Sequence, residues 1–359
     1  MINLFKVFMG EGASDAVSDV LRSGYIGEGD TVKKFEKNLS GLWGVEKERV
    51  TALNSATSAL DLAMHLCNIS EGDEVIATPI TCFATNVHLK HRKANIVWVD
   101  VDPVSGNIDC DDAAKKITDK TKAIIVVDYG GNACDYDRLR EFSIPIIEDA
   151  SHATLTTYKG DHVAKRGGDF VCFSFQAIKH LTCGDGGAIV VPTEMIERTK
   201  RLRWYGFDRD KSDSFRCSQD VKEAGFKYHM NNINASIGLS NLPYVQHIVN
   251  EHKRNAKVFC EKIQNKKVIV PQYDKESSYW LFTILVDDRK EFVEYMKFKG
   301  IATSQVHNRN DVYTIFDKFR NHDLEGVNSF SSRNISIPVG WWLKEEEIDH
   351  IVESINSWK

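Results

Sequence analysis

The chain reads as an α/β protein: a large domain built on a mostly parallel mixed sheet flanked by helices, followed by a smaller carboxyl-terminal α+β domain. Two observations predict this. Short β-branched runs alternate with stretches of helical periodicity from the amino terminus to about Leu242, the pattern of a parallel sheet wrapped by its crossover helices. Beyond that point the alternation gives way to a long polar helix and a different succession of strands and helices. The boundary is therefore placed between a large domain at 1–242, which includes the amino-terminal segment, and a small domain at 243–359. A chain of 359 residues with 42% hydrophobic content can bury cores of this size.

In order along the chain, ALNSATSALDLAMHLC (52–67) sets two N-cap residue types, Asn54 and Ser55, ahead of Ala59, Leu60, Ala63 and Leu66 at helical spacing. Strand-like runs follow at EVIAT (74–78), IVWVDV (96–101), AIIVVDY (123–129), IPIIED (144–149), DFVCFSF (169–175) and GAIVVP (187–192). No GxGxxG follows the first of these, which argues against a dinucleotide-binding enzyme. In the second domain the long helix is followed by WLFTILV (280–286), a helix near 289–299, the segments ATSQVH and ISIPV, and an amphipathic end helix from Lys344. No repeat or low-complexity tract separates the two, so the domains are expected to pack closely.

Charge and cysteine usage narrow the function classes. A net charge of −5 leaves no electrostatic footprint for DNA, RNA or an anionic membrane. The eight cysteines are irregularly spaced without a CxxC pair and read as reduced, mostly buried thiols, not disulfides or zinc ligands. No metal site is expected, and Cys172 and Cys183 are assigned to packing. No stretch approaches the ~18 apolar residues of a membrane helix, and the amino terminus carries no long apolar segment. These features describe a cytoplasmic enzyme.

The chemistry is concentrated in SFQAIKHLTCGDGG (174–187), where Lys179 stands between an apolar strand and a glycine-rich turn. A lysine amine attacks an aldehyde only when part of it is neutral, and burial at such a junction supplies that condition. Upstream, IPIIEDASHA (144–153) reads as a buried strand ending in Glu148 and Asp149, with His152 three residues beyond. Ligands collect at the carboxyl ends of strands in doubly wound sheets, and an aspartate there can hold the protonated ring nitrogen of pyridoxal phosphate (PLP). The helix start after Asn54 and Ser55 offers free N–H groups to a phosphate, with the Thr57 and Ser58 hydroxyls in reach.

These residues carry a resemblance. The chain is similar to the DegT/StrS family of PLP-dependent nucleotide-sugar aminotransferases, which have the fold type I, aspartate aminotransferase-like architecture. The likeness runs through RSGYIGEGDTVKKFEKNLSGLWGVE (22–46), NSATSAL, EGDEVIATPITCFAT, VDVDPVSGNID, IIEDASHA, SFQAIKHLTCGDGG and GFKYHMNNINASIGL (225–239). It implies that Lys179 carries the cofactor as a Schiff base, Asp149 pairs with the pyridinium, His152 bonds the phenolic oxygen and Phe83 lies on the ring face. It further implies that Thr57, Ser58 and Ser174 hold the phosphate and that Lys227 reaches it from the other subunit of a homodimer. Each assignment has a plainer rival: Phe83 as a core aromatic, His152 as a structural imidazole, Ser174 as a strand-end hydroxyl and Lys227 as a surface charge, the family more often having asparagine there.

The implied reaction is a two-stage transfer. An amino donor, L-glutamate, leaves its nitrogen on the cofactor, and a nucleotide-linked keto-sugar takes it up for amino-sugar and surface polysaccharide biosynthesis. Amination at the 3- or 4-keto position is open, with a 4-keto-6-deoxy sugar favoured. A PLP-dependent keto-deoxysugar dehydratase, in which histidine replaces the lysine, is the alternative within the family; here His180 is beside Lys179 and not in its place. A non-enzymatic PLP- or sugar-binding regulatory module is the alternative outside catalysis. Departures from the common pattern occur at Asp185, at His229, at WYG (204–206) and at VHNRND (306–311). Among these, His229, His307 and Arg309 are the candidates for substrate contacts.

Overall fold

The six strand-like runs of the first part join a single sheet, completed by a seventh strand that the sequence pattern does not announce. The computed structural model describes residues 1–209 and 218–359. In chain order, α1 (Ala13–Ser23) and α2 (Asp30–Trp43) precede β1 (Val50–Leu53), α3 (Ala56–Leu66), β2 (Glu74–Ala77), α4 (Phe83–His91), β3 (Asn95–Trp98), α5 (Cys110–Lys116), β4 (Thr121–Val127), α6 (Tyr136–Arg140) and β5 (Ile146–Asp149). A hairpin of β6 (Thr157–Tyr158) and β7 (Asp161–His162) and the short α7 (Val163–Arg166) lead to β8 (Phe170–Ser174), β9 (Gly187–Val190), α8 (Ile196–Leu202) and α9 (Asn232–Asn241). The remainder comprises α10 (Val245–Lys262), β10 (Val268–Ile269), β11 (Phe282–Val286), α11 (Arg289–Phe298), α12 (Glu325–Arg333), β12 (Asn334–Ile337) and α13 (Glu345–Ser357).

The large sheet has the order β1-β9-β8-β5-β4-β2-β3. Strands β3, β2, β4, β5 and β8 run parallel, and β9 is antiparallel to both of its neighbours. The architecture is thus the mostly parallel mixed sheet of the fold type I enzymes. Register sets the edge that matters: Gly187 faces both Leu53 of β1 and Ser174 of β8, while Asp149 of β5 faces Cys172. The end of β5, the end of β8 and the start of α3 therefore meet along one side.

Alternation along the strands divides the core. Ile147, Phe170 and Cys172 face one apolar layer, while Ile146, Val171 and Phe173 face the other, as the two-residue period of a strand requires. Cys172 and Cys183 are fully buried, free thiols, and burial pushes their pKa values upward. IVWVDV is shorter as a strand than its composition suggests. Its tail leaves the ladder after Trp98, and Val101 instead bridges to Ile108.

The carboxyl-terminal part packs helices around the antiparallel sheet β10-β11-β12, over a core that includes Phe259, Phe282, Phe292 and Ile351. Leu281, Phe316 and Phe330 join the core beneath the large sheet, so the two parts share apolar contact. The first residues of the chain cross to this second part: the Ile2 N–H donates to the Gly300 carbonyl at 2.7 Å, and Trp342 donates its indole N–H to Asn3. Among the described residues, no helix is long and apolar enough to cross a membrane.

Candidate active site

A cavity of about 480 Å³ opens at the edge where β5, β8 and α3 meet. Its walls bring together Thr57, Asp149, His152, Ser174, Lys179 and His307. A cleft of about 510 Å³ elsewhere is lined by Tyr25, Glu28, Arg203 and Arg209, and its arginines are ion-paired to Glu28 at 2.8 Å. The titratable cluster belongs to the former.

Lys179 follows β8 in the turn that leads to β9, where its N–H donates to the Gln176 carbonyl. Its amine lies 3.5 Å from the ring centroid of Trp280, which is itself held by an indole N–H bond to the Ile178 carbonyl at 3.0 Å. Burial lowers the lysine pKa to about 7, against the opposing pull of the Asp149 charge. An aromatic face favours the cation by ~1–2 kcal/mol, less than the desolvation it opposes. At neutral pH a large share of this amine is therefore unprotonated and nucleophilic.

Asp149 is the last residue of β5 and is 3% exposed. Its Oδ2 accepts the Thr85 hydroxyl at 2.7 Å, and its Oδ1 accepts the Ser151 N–H at 3.1 Å. Its neighbour Glu148 points to the other face of the strand, as alternation demands. There Glu148 accepts the Gly168 N–H at 2.6 Å and feels the charge of Asp128, which accepts from Tyr136 and the Cys134 N–H, while Glu148 Oε1 and Asp128 Oδ2 are buried with no other partner among the described residues. Burial raises both pKa values, that of Asp128 to about 6, so this pair holds a proton away from the cavity.

His152 stacks on Trp280 with ring centroids 4.0 Å apart, and its Nδ1 accepts the Gly130 N–H at 3.3 Å. That acceptor role places the imidazole proton on Nε2. Nε2 in turn lies 3.4 Å from Nε2 of His307, in rings tilted by only 2°. Burial, followed by the Lys179 charge, lowers both pKa values, that of His307 to about 4, so the pair is neutral at pH 7. His307 reaches the cavity after Val306, a β-branched residue at φ 63°, a conformation that persists only where surrounding contacts enforce it. The Ser304 hydroxyl accepts the Val306 N–H at 2.9 Å.

At the start of α3, Ser55 is the N-cap and accepts the Ser58 N–H at 3.0 Å. The Ser58 hydroxyl bonds Asn54 at 2.6 Å and does not line the cavity. Ala56 and Thr57 do line it, with the unclaimed N–H groups of a first helical turn. Glycine is required opposite them, since a Cβ at Gly187 would lie 2.4 Å from the Ala56 nitrogen. Ser174, 7% exposed, adds a hydroxyl. N–H groups, hydroxyls and a helix dipole suit a phosphate, the buried carboxylate suits a ring N–H, and the near-neutral amine suits an aldehyde. This donor set fits PLP.

Other sequence-predicted residues are placed elsewhere. Phe83 is 39% exposed and packs edge-on against Tyr313, while Cys82 faces the cavity. The Phe83 ring is instead taken up by contacts with Tyr313 and Phe316. Lys227 is exposed, 5.7 Å from the Trp204 ring and outside the cavity of its own chain. His229 packs on Trp204 at 4.0 Å with its Nδ1 buried and unpartnered, and burial lowers its pKa to about 4. Arg309 grips Asp311 through two bonds of 2.7 and 2.6 Å and also binds Asn328, so its guanidinium is committed within the protein. Sequence reasoning missed Trp280 and Thr85. Both types are common in strands and helices, and only long-range packing distinguishes them.

A profile of the DegT/DnrJ/EryC1/StrS aminotransferase family matches residues 8–356. Among solved structures, AtS13 from Actinomadura melliaura superposes with a TM-score of 0.95 at 39% identity, covering 100% of this chain and 99% of its own. The sugar aminotransferase CalS13 from Micromonospora echinospora superposes with a TM-score of 0.94 at 34% identity over 100% of each chain. Spr1654 from Streptococcus pneumoniae, in its PLP-form, gives a TM-score of 0.91 at 27% identity, covering 99% of this chain and 98% of its own.

Proposed function

The chain belongs to the DegT/DnrJ/EryC1/StrS aminotransferase family, and from that membership we propose that it moves an amino group from L-glutamate to a nucleotide-linked keto-sugar, serving amino-sugar and surface polysaccharide biosynthesis. The enzyme class, a PLP-dependent sugar aminotransferase, follows from the family. The observation that supports the reading is Lys179, whose pKa of about 7 leaves a nucleophilic amine in the same cavity as the buried Asp149. His180 turns away to a buried contact with His252 at 3.3 Å, which favours transamination over the dehydratase alternative.

When bound, PLP supplies the carbonyl that carries nitrogen between substrates and the ring that accepts electrons released by proton loss. The roles of the chain follow from position. Lys179 would anchor the cofactor, and its free amine, with a pKa lowered to about 7, is suited to accept and return a proton at Nζ. Asp149 would hold the ring nitrogen. Thr57, Ser174 and the N–H groups at the start of α3 would hold the phosphate. Trp280 and the neutral His152, stacked on one another, form part of the cavity wall, and His152 would bond the phenolic oxygen. Lys227 fits the phosphate role only from a second copy of the chain, so the working unit is a homodimer.

The reading is tested by adding L-glutamate to the purified holoprotein, following loss of the visible cofactor band and formation of 2-oxoglutarate, and then offering keto-sugar nucleotides that vary in base and keto position. Conversion by glutamate followed by recovery of the band with a 4-keto-6-deoxy sugar is expected. Failure of glutamate removes the proposed donor, and failure of every sugar removes the acceptor class. Lys179→Ala should abolish both stages.

A further inference from the structure

The carboxylate of Asp149 is held from behind by a chain of hydroxyls that leads out of its own strand. Asp149 is 3% exposed, and its Oδ2 accepts the Thr85 hydroxyl at 2.7 Å. Thr85, fully buried in the first turn of α4, lies 2.8 Å from the hydroxyl of Thr81. A carboxylate has no proton to give, so the single Thr85 proton goes to Asp149 and Thr81 must donate to Thr85. The direction of the whole chain is thereby set, from Thr81 through Thr85 to Asp149.

The turn that carries these threonines is fixed by the carboxyl-terminal part of the protein. Asn310, 0% exposed, donates its amide to the Thr81 carbonyl at 2.8 Å and its backbone N–H to the Pro79 carbonyl at 2.8 Å. Its Oδ1 accepts from Asn86 at 3.1 Å. Asn310 follows Arg309, whose two hydrogen bonds to Asp311 stiffen the same loop. With Ser151 bonding the other oxygen of Asp149, the plane of the carboxylate is defined from two sides.

We infer that Thr85 is a positioning residue for transamination, holding Asp149 in the orientation that keeps the cofactor ring nitrogen protonated. The inference rests on the assignment of Asp149 to that nitrogen. Bonds from a donor to a charged acceptor are the strong ones in a site closed to water, and their loss lets the acceptor rotate. Thr85→Val removes the hydroxyl at nearly constant shape, and Thr85→Ser restores it.

The experiment compares wild type, Thr85→Val and Thr85→Ser as holoproteins. Three quantities are read: the rate constant of the glutamate half-reaction, the KM for glutamate, and the pH midpoint of the visible cofactor band. Thr85→Val is expected to lower the rate constant about 10- to 100-fold, the effect of losing one hydrogen bond to a charged group, with KM changed less than about threefold. The band midpoint should rise by roughly one pH unit, because a ring nitrogen without its proton withdraws fewer electrons. Thr85→Ser should stay within about threefold of wild type. Should the valine not pack, Thr85→Ala gives the same comparison. Equal losses in the serine and valine variants, or an unmoved midpoint in Thr85→Val, overturn the inference. A wild-type protein that forms no visible band with PLP overturns instead the cofactor reading beneath it.

Discussion

Replacing Lys179 with methionine tests whether burial depresses the amine. Methionine is unbranched and of similar length, so it fills the space over Trp280 without a charge. In the cofactor-free protein the lysine pKa is about 7, against 10.5 in the unfolded chain. The folded state therefore binds fewer protons than the unfolded state between these values, and the wild type gains stability as pH rises through that window. The same shift means that holding this lysine costs ~4 kcal/mol at pH 7 and ~2 kcal/mol at pH 9, vanishing above about pH 10.5. Urea unfolding of both apoproteins, monitored by circular dichroism at equal concentration, should show Lys179→Met more stable by these amounts. Groups common to both proteins cancel in the difference. His152 and His307, which feel the lysine charge, have pKa values lowered from 6.5 and so titrate below the window. A stability difference that stays flat between pH 7 and pH 10 would refute the burial argument and, with it, the physical basis for a nucleophilic amine.

The buried acid pair and the committed arginine yield two further expectations. Glu148→Gln replaces a protonated carboxyl with a neutral amide able to donate to Asp128, so folding should survive. Because a raised carboxyl pKa loses stability as pH climbs above ~4, the variant should equal or exceed the wild type at pH 8 in a urea titration and lose ground below pH 5; a large loss at pH 8 would count against a shared proton. Arg309→Ala leaves Asp311, 1% exposed, without its partner and should cost about 3 kcal/mol of stability, while the KM for an accepted sugar nucleotide should stay within about twofold. A tenfold rise in KM at unchanged stability would return Arg309 to substrate binding.

The fold was legible because its signals are local. Each strand-like run kept β-branched residues between turn residues, and the long helix after Leu242 kept its period, so both survive as β2 to β5, β8, β9 and α10. β1 was not legible: VTAL is four residues long, and only pairing with β9 makes it a strand. Lys179, Asp149, His152 and Thr57 converge on one cavity because each follows the same edge of the sheet. Phe83 lies outside that cavity, its ring taken up by Tyr313 and Phe316, partners far along the chain that composition does not reveal. Ser58 is likewise drawn into the cap by Asn54. The Arg309 pairing could have been read from Asp311 two residues on, a spacing that lets the two side chains meet in a turn.

By itself the sequence determined the α/β class, the order of the strands along the chain, the resemblance to a PLP-dependent family and the residue types that such chemistry needs. These depend on periodicity, caps and spacing, all of which act over a few neighbouring residues. Only the tertiary structure decided which groups are neutral and which are held. The pKa of Lys179 is lowered by burial in a cavity whose wall includes Trp280, about a hundred residues away, the proton of His152 faces His307, and the carboxylate of Asp149 is oriented by Thr85 on another element. Desolvation and hydrogen-bond direction belong to the enclosure and not to any one segment, so they exist only once the chain has closed around the site.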